Sequence, residues 1–175
     1  FLMDAGEPAY TMAIGANEEV DTDTFRYVYT SLTTPNTTYD YDLRTGERRL
    51  MKRDPVLGGF DPANYVTEFL WATARDGAQV PVSLLYRKGF ERDGRAPLYQ
   101  YGYGSYGATM DPAFRSSVLS LVDRGFVYAI AHVRGGQEMG RSWYEDGRLL
   151  HKKNTFTDFV DVTRFLVKEK YADPK

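Results

Sequence analysis

A loop of alternating glycine and tyrosine residues is the part of this 175-residue chain that most clearly suggests chemistry. Residues 102–107 are Gly-Tyr-Gly-Ser-Tyr-Gly, and the apolar run before them, residues 97–101, predicts a buried strand. A glycine-rich loop after a strand can cradle a phosphate, expose a nucleophile or aim a hydrogen-bond donor at developing negative charge. These three possibilities place different demands on the residues that follow.

The first possibility is a dinucleotide site, because residues 102–107 match the pattern G-x-G-x-x-G. Such a site needs a helix that begins at the loop, so that the helix N-terminus faces the pyrophosphate. Here Asp111 and Pro112 predict a helix start several residues too late. The next predicted strand ends at residues 132–134 without an acid that could hold a ribose. A dinucleotide is therefore disfavoured, and we expect no cofactor.

The second possibility makes Ser105 a nucleophile. Residues 103–107 are one glycine short of the G-x-S-x-G turn that exposes a serine, and the late helix counts against it again. His132 lies in a predicted buried strand and His151 in a polar run, which are settings typical of packed or solvated histidines. The chain therefore offers no convincing constellation of serine, histidine and acid.

The third possibility is electrostatic. In an open α/β sheet the loops at the carboxyl ends of strands line the reaction crevice, and both the Gly-Tyr loop and the Arg134 loop follow predicted strands. A tyrosine hydroxyl there can donate to an oxyanion, and an arginine can grip a carboxylate or carbonyl. A purely structural alternative remains open, in which the tyrosines pack and Arg134 forms a salt bridge with Glu138 or Asp146.

The residues before this loop predict antiparallel strands. Gly46 supplies the positive φ that a hairpin turn needs between the third and fourth runs. Four such strands have the size of one β-propeller blade, although any meander would look alike. Glycines and a proline in residues 57–62 indicate a boundary, so we expect domains at residues 1–62 and 63–175. The four predicted strands are residues 9–14, 25–30, 37–43 and 48–52.

The residues after the boundary predict an α/β unit. Strands at residues 66–74 and 79–87 flank an Asp-Gly turn at residues 76–77. A helix follows the Gly-Tyr loop, with Asp111 as its cap and Gly125 as its stop, and a buried strand follows at residues 126–133. Strand, helix, strand and helix in this order predict parallel strands covered by helices.

The last helix has an apparent capping box formed by Thr155 and Asp158. The neighbouring lysines Lys152 and Lys153 are interpreted as surface charge. The predicted buried face of this helix consists of Phe156, Phe159, Val160, Leu166 and Val167.

Composition limits the classes of function. A net charge of −2 gives no reason to expect nucleic acid or an anionic membrane as a partner, and no apolar run is long enough to span a membrane. The chain has no cysteine and no metal-ligand spacing, so we expect no metal site and a cytoplasmic protein. Because the chain opens with Phe1 and closes directly after a predicted helix, it is interpreted as a fragment.

Four motifs together carry a resemblance. They are Tyr-Gly-Tyr-Gly-Ser-Tyr-Gly at 101–107, Asp-Arg-Gly-Phe-Val-Tyr-Ala at 123–129, His-Val-Arg-Gly-Gly at 132–136 and Trp-Tyr-Glu-Asp-Gly at 143–147. With them the chain strongly resembles the prolyl oligopeptidase family of serine peptidases, in particular its oligopeptidase B members. The resemblance extends over nearly the whole sequence. It implies the last blade of a β-propeller followed by the first part of an α/β-hydrolase domain.

The resemblance also implies a function and residues that carry it. The implied activity is hydrolysis of short peptides after Arg or Lys, so that short basic peptides would be the partners. The oxyanion-donating tyrosine of the family falls on Tyr103 and the aromatic residue of the substrate pocket on Tyr106. The arginine of its Arg-Gly-Gly loop falls on Arg134. The first of two aspartates that hold a basic substrate residue falls on Asp111, whereas the second falls on Ala113, a departure from the family pattern.

The nucleophile segment of the family, with the aspartate and histidine of its triad, does not occur in these 175 residues. We therefore expect the chain to be inactive by itself while its parent is a peptidase. The alternatives are a prolyl or dipeptidyl peptidase of the same family, or a hydrolase-like binding module without catalysis. The natural substrates and the oligomeric state are not encoded in any motif of the chain.

Overall fold

The computed structural model describes Met3 and residues 5–175, and its strands form two sheets of four strands each. The first is an antiparallel meander in the order β1-β2-β3-β4, as the sequence predicts. Gly46, with a φ of +77°, forms the predicted turn between β3 and β4. This sheet is the unit for which the sequence analysis predicts a propeller blade, and it is called the blade below. Its strands are β1 Tyr10–Ile14, β2 Thr24–Ser31, β3 Thr37–Asp42 and β4 Arg48–Arg53.

The second sheet is mixed, with the strand order β5-β6-β8-β7. β5 and β6 form the predicted hairpin, and β6 also pairs antiparallel with β8. β7 and β8 pair in parallel, so that Tyr101 lies opposite Ile130 near their carboxyl ends. The prediction that the strands before the two candidate loops are parallel neighbours is confirmed. The strands are β5 Tyr65–Thr73, β6 Gln79–Arg87, β7 Leu98–Tyr101 and β8 Val127–Ala131.

Three α-helices accompany this sheet in the described part of the chain, with 3₁₀ turns at Pro62–Asn64 and Leu149–His151. They are α1 Ser116–Val122, α2 Arg141–Glu145 and α3 Lys153–Lys168. All five residues of β8 are buried, as expected of a strand covered on both faces. Leu32 of the blade packs in the same apolar cluster as Val118 and Val122 of α1, so the blade and the second sheet share a core.

The predicted start of α1 is wrong. The helix begins at Ser116, and its N-cap position is occupied by Arg115 in an extended conformation rather than by Asp111. The preceding segment is held extended because it bonds to the blade: Thr11 Oγ1 donates to the Pro112 carbonyl at 2.9 Å, and the Phe114 amide donates to Thr30 Oγ1 at 3.1 Å. Tertiary hydrogen bonds therefore override the capping signal of Asp111 and Pro112.

The predicted capping box of α3 is also wrong. The helix begins at Lys153, one turn of chain earlier than expected, and both Thr155 and Asp158 are buried inside it. The predicted buried face fails at two positions, since Phe156 is 66% exposed and Val160 is 42% exposed. The face that the helix buries contains polar residues at Thr155, Asp158 and Asp161, together with Val162 and Leu166. Its polar members bond to loops of the second sheet.

Candidate active site

The Gly-Tyr loop and the Arg134 loop lie side by side because β7 and β8 are parallel neighbours. The Gly107 amide donates to the Gly135 carbonyl at 2.9 Å, which ties the end of one loop to the middle of the other. A side chain at position 135 would collide with the Gly104 carbonyl oxygen. The glycines of both motifs are therefore needed for close approach of two backbones, rather than for contact with a phosphate.

Gly104 has a φ of +63°, and a Cβ there would lie 2.7 Å from Val133 Cγ2, besides meeting Thr155 Cγ2. The Thr155 hydroxyl donates to the Arg134 carbonyl at 2.6 Å and lies 3.4 Å from the Gly104 carbonyl. Lys152 Nζ donates to that same Gly104 carbonyl and, at 2.7 Å, to Ser105 Oγ. The first turn of α3 thus fixes the middle of the Gly-Tyr loop.

The interpretation of Lys152 as a surface charge is wrong. Lys152 is partly buried, and the loss of hydration on burial lowers the pKa of its ammonium group. Within the described residues its donors go to a carbonyl and a hydroxyl rather than to a carboxylate. Ser105 therefore accepts a hydrogen bond from a lysine and not from an imidazole, and the argument against Ser105 as the nucleophile stays a prediction.

Tyr103 and Tyr106 both project from the loop. The side chain of Tyr103 is 46% exposed and that of Tyr106 is 88% exposed. Tyr106 also has a φ of +57°, which is uncommon for a non-glycine residue and turns the chain sharply at this position. Neither hydroxyl donates a hydrogen bond to any other residue that the structure describes. Both side chains are therefore available at the crevice between the strand ends.

Arg134 is buried, and its guanidinium is surrounded by carboxylates. Its Nε and Nη2 donate to Asp158 at 2.9 and 2.6 Å, and its Nη1 lies 2.7 Å from Asp76 Oδ2. The hydrogen bonds that Arg134 donates to Asp158 are the main reason why the pKa of Arg134 is raised. The alternative prediction that Arg134 forms a salt bridge with Glu138 or Asp146 is wrong. Substrate binding by Arg134 stays a prediction. Two carboxylates, those of Asp158 and Asp76, already pair with its guanidinium.

His132 and Glu138 form a second polar cluster, at the entrance and end of the Arg134 loop. His132 is 3% exposed, and its Nε2 lies 2.8 Å from Ser83 Oγ. Its Nδ1 is 3.9 Å from Glu138 Oε1, and the other oxygen of that carboxylate has no hydrogen-bond partner among the described residues. The series resembles a catalytic triad in residue type only, because Ser83 is completely buried within β6.

Asp111 is exposed and lines a cavity of about 290 Å³ between the blade and the second sheet. His132 and Glu138 line the same cavity, as do Tyr10 of the blade and Phe69 of β5. The structure therefore brings Asp111 close to the Arg134 loop, although the helix cap predicted for it does not exist. No group of His, Cys, Asp and Glu suited to a metal ion was found among the described residues.

The sequence analysis missed four residues that shape the site: Asp76, Asp158, Lys152 and Glu138. Asp76 and Asp158 were seen only as turn and cap residues, which is their usual role in such positions. A signal existed in α3, since Thr155, Asp158 and Asp161 recur at a spacing that places polar side chains on one helix face. None of the described helices has the length and apolar character that crossing a membrane requires.

Two family models match the chain. The model described as "Prolyl oligopeptidase family" matches residues 112–175, and the one described as "Prolyl oligopeptidase, N-terminal beta-propeller domain" matches residues 1–54. Together they cover the last part of the second sheet with its helices and the blade.

Two curated proteins are similar to the chain along most of its length. Dipeptidyl aminopeptidase BI of Pseudoxanthomonas mexicana is 61% identical over 169 residues, which are 96% of this chain and 23% of that protein. Protease 2 of Moraxella lacunata is 45% identical over 168 residues, 96% of this chain and 24% of that protein. The chain thus spans about a quarter of the length of these relatives.

Solved structures give the same result. Oligopeptidase B from Trypanosoma brucei, with covalently bound antipain, superposes with a TM-score of 0.89 at 44% identity, covering 98% of this chain and 24% of that one. Oligopeptidase B from Leishmania major gives a TM-score of 0.87 at 44% identity, with 99% and 24% covered. Both similarities extend through the blade and the mixed sheet.

Proposed function

The chain belongs to the prolyl oligopeptidase family, and we propose that it contributes to a serine peptidase that hydrolyses short peptides after Arg or Lys. The observation that carries the proposal is the pair of interlocked loops at the carboxyl ends of β7 and β8, from which the Tyr103 side chain projects. We place the boundary between the blade unit, residues 1–62, and the hydrolase unit, residues 63–175, in the glycine-rich segment before the 3₁₀ turn.

Tyr103 is the proposed oxyanion donor. When a nucleophile attacks a peptide carbonyl, negative charge develops on the carbonyl oxygen, and a fixed hydroxyl donor stabilises that charge more than it stabilises the substrate. The loop is fixed by Lys152, Thr155 and Gly135, so its position costs little reorganisation during the reaction. The hydroxyl itself has no competing partner among the described residues.

Tyr106 and Asp111 are the proposed substrate-binding residues. The exposed ring of Tyr106 offers a flat surface for a substrate side chain or guanidinium, and the carboxylate of Asp111 offers a partner for its charge. Arg134 is the third proposed substrate-binding residue. Its pairing with Asp158 and Asp76 also holds the loop that borders the substrate.

The nucleophile of the proposed reaction is not supplied by this chain. The only serine bonded to a histidine in the described part is Ser83, whose hydroxyl is closed off from solvent in β6. We therefore predict that the 175-residue chain alone does not cleave an Arg-containing fluorogenic dipeptide. Cleavage by the purified chain that a serine-directed inhibitor blocks would contradict this prediction.

The test of the proposed function is Tyr103→Phe in the complete protein. We expect kcat/KM to fall on the order of tenfold or more, with most of the loss in kcat, because the hydroxyl acts in the transition state. Tyr99→Phe in β7 is the matched control, since its ring is 41% exposed and stacks on Tyr128. Unchanged kinetics in Tyr103→Phe, with folding intact, would refute the role of Tyr103.

A second candidate function is supported by the 61% identity to a dipeptidyl aminopeptidase. In this alternative the protein removes dipeptides from a free peptide N-terminus instead of cutting within a peptide. The two activities differ in their response to a blocked substrate. An endopeptidase cleaves N-acetylated and free peptides alike, whereas a dipeptidyl aminopeptidase requires the free amino group.

A further inference from the structure

The cavity between the blade and the second sheet has an unusual polar lining. His132 Nδ1 and Glu138 Oε2 are buried polar atoms without a hydrogen-bond partner in the described part of the chain. Leaving such an atom unpaired costs on the order of 1–3 kcal/mol, so native structures seldom keep two of them side by side. Both residues border the cavity of about 290 Å³. A donor that enters this space can satisfy them.

The chemistry of the lining indicates which kind of donor fits. Glu138 contributes a carboxylate whose Oε1 is already used by the Met110 amide at 2.9 Å, and Asp111 adds a second carboxylate at the cavity wall. When His132 Nε2 carries the ring proton and donates it to Ser83, Nδ1 presents a lone pair to the cavity. Among the described residues, no lysine or arginine lines the cavity. A cationic donor is therefore favoured over an anion.

The remaining lining suits a small apolar body next to that charge. Phe69, Pro81 and Met139 border the cavity together with Pro8 and Ala9 of the blade segment. The cavity also adjoins the proposed active site, because Gln137 in its lining packs against Gly107 at the end of the Gly-Tyr loop. An ammonium group attached to one amino-acid residue has both features, namely a compact charge and an apolar side chain.

We propose that this cavity binds the free α-ammonium group of a peptide, with Glu138 and His132 as its acceptors and Asp111 as a second carboxylate. The inference rests on the proposed peptidase function, and it specifies the substrate class as peptides with an unblocked N-terminus. Glu138 is then a specificity residue, at a position that the sequence analysis considered only as a partner of Arg134. The departure at Ala113 is compatible with this role, because Glu138 of the Arg134 loop supplies a carboxylate in addition to that of Asp111.

The direct test is binding of two dipeptides to the complete protein, measured by calorimetry. The probes are Ala-Arg and N-acetyl-Ala-Arg; the acetyl group removes the charge of the terminal nitrogen and adds a small neutral group. We expect the free dipeptide to bind at least tenfold more tightly. Glu138→Gln keeps the size of the side chain and removes its charge, and it should reduce this preference to threefold or less. Glu47→Gln in the exposed β3–β4 hairpin is the control and should retain the full preference.

Equal affinity of the two dipeptides for the unmodified protein would overturn the proposal, and so would a full preference in folded Glu138→Gln. The second result would mean that the cavity holds ordered water only. If Glu138→Gln does not fold, Asp111→Asn is the deciding variant, because the Asp111 side chain is exposed and its substitution should leave folding intact. A full preference of this variant for the free dipeptide overturns the proposal. The proposed function fails separately, when the complete protein cleaves neither a free nor an acetylated fluorogenic peptide. Dipeptide binding remains decisive in that case.

Discussion

Two buried polar pairs include residues of the Arg134 loop, and the hydrogen bonds of one pair are more complete than those of the other. Arg134 and Asp158 satisfy each other with two side-chain hydrogen bonds, and the Arg134 amide adds a third at 3.1 Å. Two residues before Arg134, His132 Nδ1 lies 3.9 Å from Glu138 Oε1, and each side chain has a buried atom without a partner among the described residues. We call the first a closed pair, because its two side chains bond to each other, and the second an open pair, because it has unused hydrogen-bonding capacity beside a cavity.

This difference separates a structural pair from a binding pair. A bidentate pair fixes the position of its loop, because two parallel hydrogen bonds hold the side chains in one geometry. An incomplete pair lowers stability in the empty protein and gains its missing bonds when a ligand binds. The closed pair lies under the Gly-Tyr loop and the open pair lies at the cavity. Substitutions in the two pairs should therefore affect different properties.

The largest effect is expected for Asp158→Asn. Asp158 is fully buried, and the substitution removes its negative charge. Arg134 then remains a buried cation, and among the described residues only the partly exposed Asp76 forms an ion pair with it. Loss of one member of a buried ion pair typically destabilises a protein by about 3–5 kcal/mol. Denaturant unfolding of the complete protein should show a correspondingly lower midpoint. Asp76→Asn is the comparison variant, and its effect should be clearly smaller, because the Asp76 side chain is 43% exposed.

An effect on catalysis rather than on folding is expected for Lys152→Met. The variant removes the donors to Gly104 and Ser105, so the loop that carries Tyr103 becomes less well fixed. We predict a fall in kcat of about tenfold, equivalent to about 1.4 kcal/mol, with little change in KM. In the background of Tyr103→Phe the same substitution should have a much smaller effect, because both residues act on one interaction. Fully additive losses would show that Lys152 acts independently of Tyr103.

The smallest effect on stability is expected for Glu138→Gln. Oε1 can still accept from the Met110 amide, and the oxygen that is replaced has no partner to lose. We predict a change in unfolding free energy of less than about 1 kcal/mol, in contrast to Asp158→Asn. Equal destabilisation by the two variants, measured by the same denaturant titration, would remove the distinction between a closed and an open pair.

Local patterns in the sequence were sufficient for most of the architecture. The alternation of apolar residues and the turn at Gly46 predicted the four strands of the blade, and the apolar run before residue 134 predicted the buried strand β8. The signals that failed were helix caps. Asp111 and Thr155 have the right residue types for caps, but the carbonyl of Pro112, next to Asp111, accepts a bond from the blade, and the Thr155 hydroxyl donates to the Arg134 carbonyl.

Motifs identified Tyr103, Tyr106 and Asp111, which are solvent-accessible, and Arg134, which is buried. The roles of these four residues stay predictions. The buried supports were not identified, because Asp158 lies 24 residues from Arg134 in sequence and Lys152 lies 47 residues from Ser105. No periodicity connects positions so far apart, and a buried carboxylate looks like any surface carboxylate in a sequence.

The sequence by itself determined the family, the two kinds of unit, the neighbouring strands β7 and β8 and the glycines that allow their loops to interlock. These properties depend on local backbone preferences and on the pattern of apolar residues, which are written directly in the chain. Only the tertiary structure decided that Arg134 is closed off by Asp158 and Asp76 while His132 and Glu138 remain open. Whether a buried polar atom is satisfied depends on which distant groups surround it, and that is a property of packing in three dimensions.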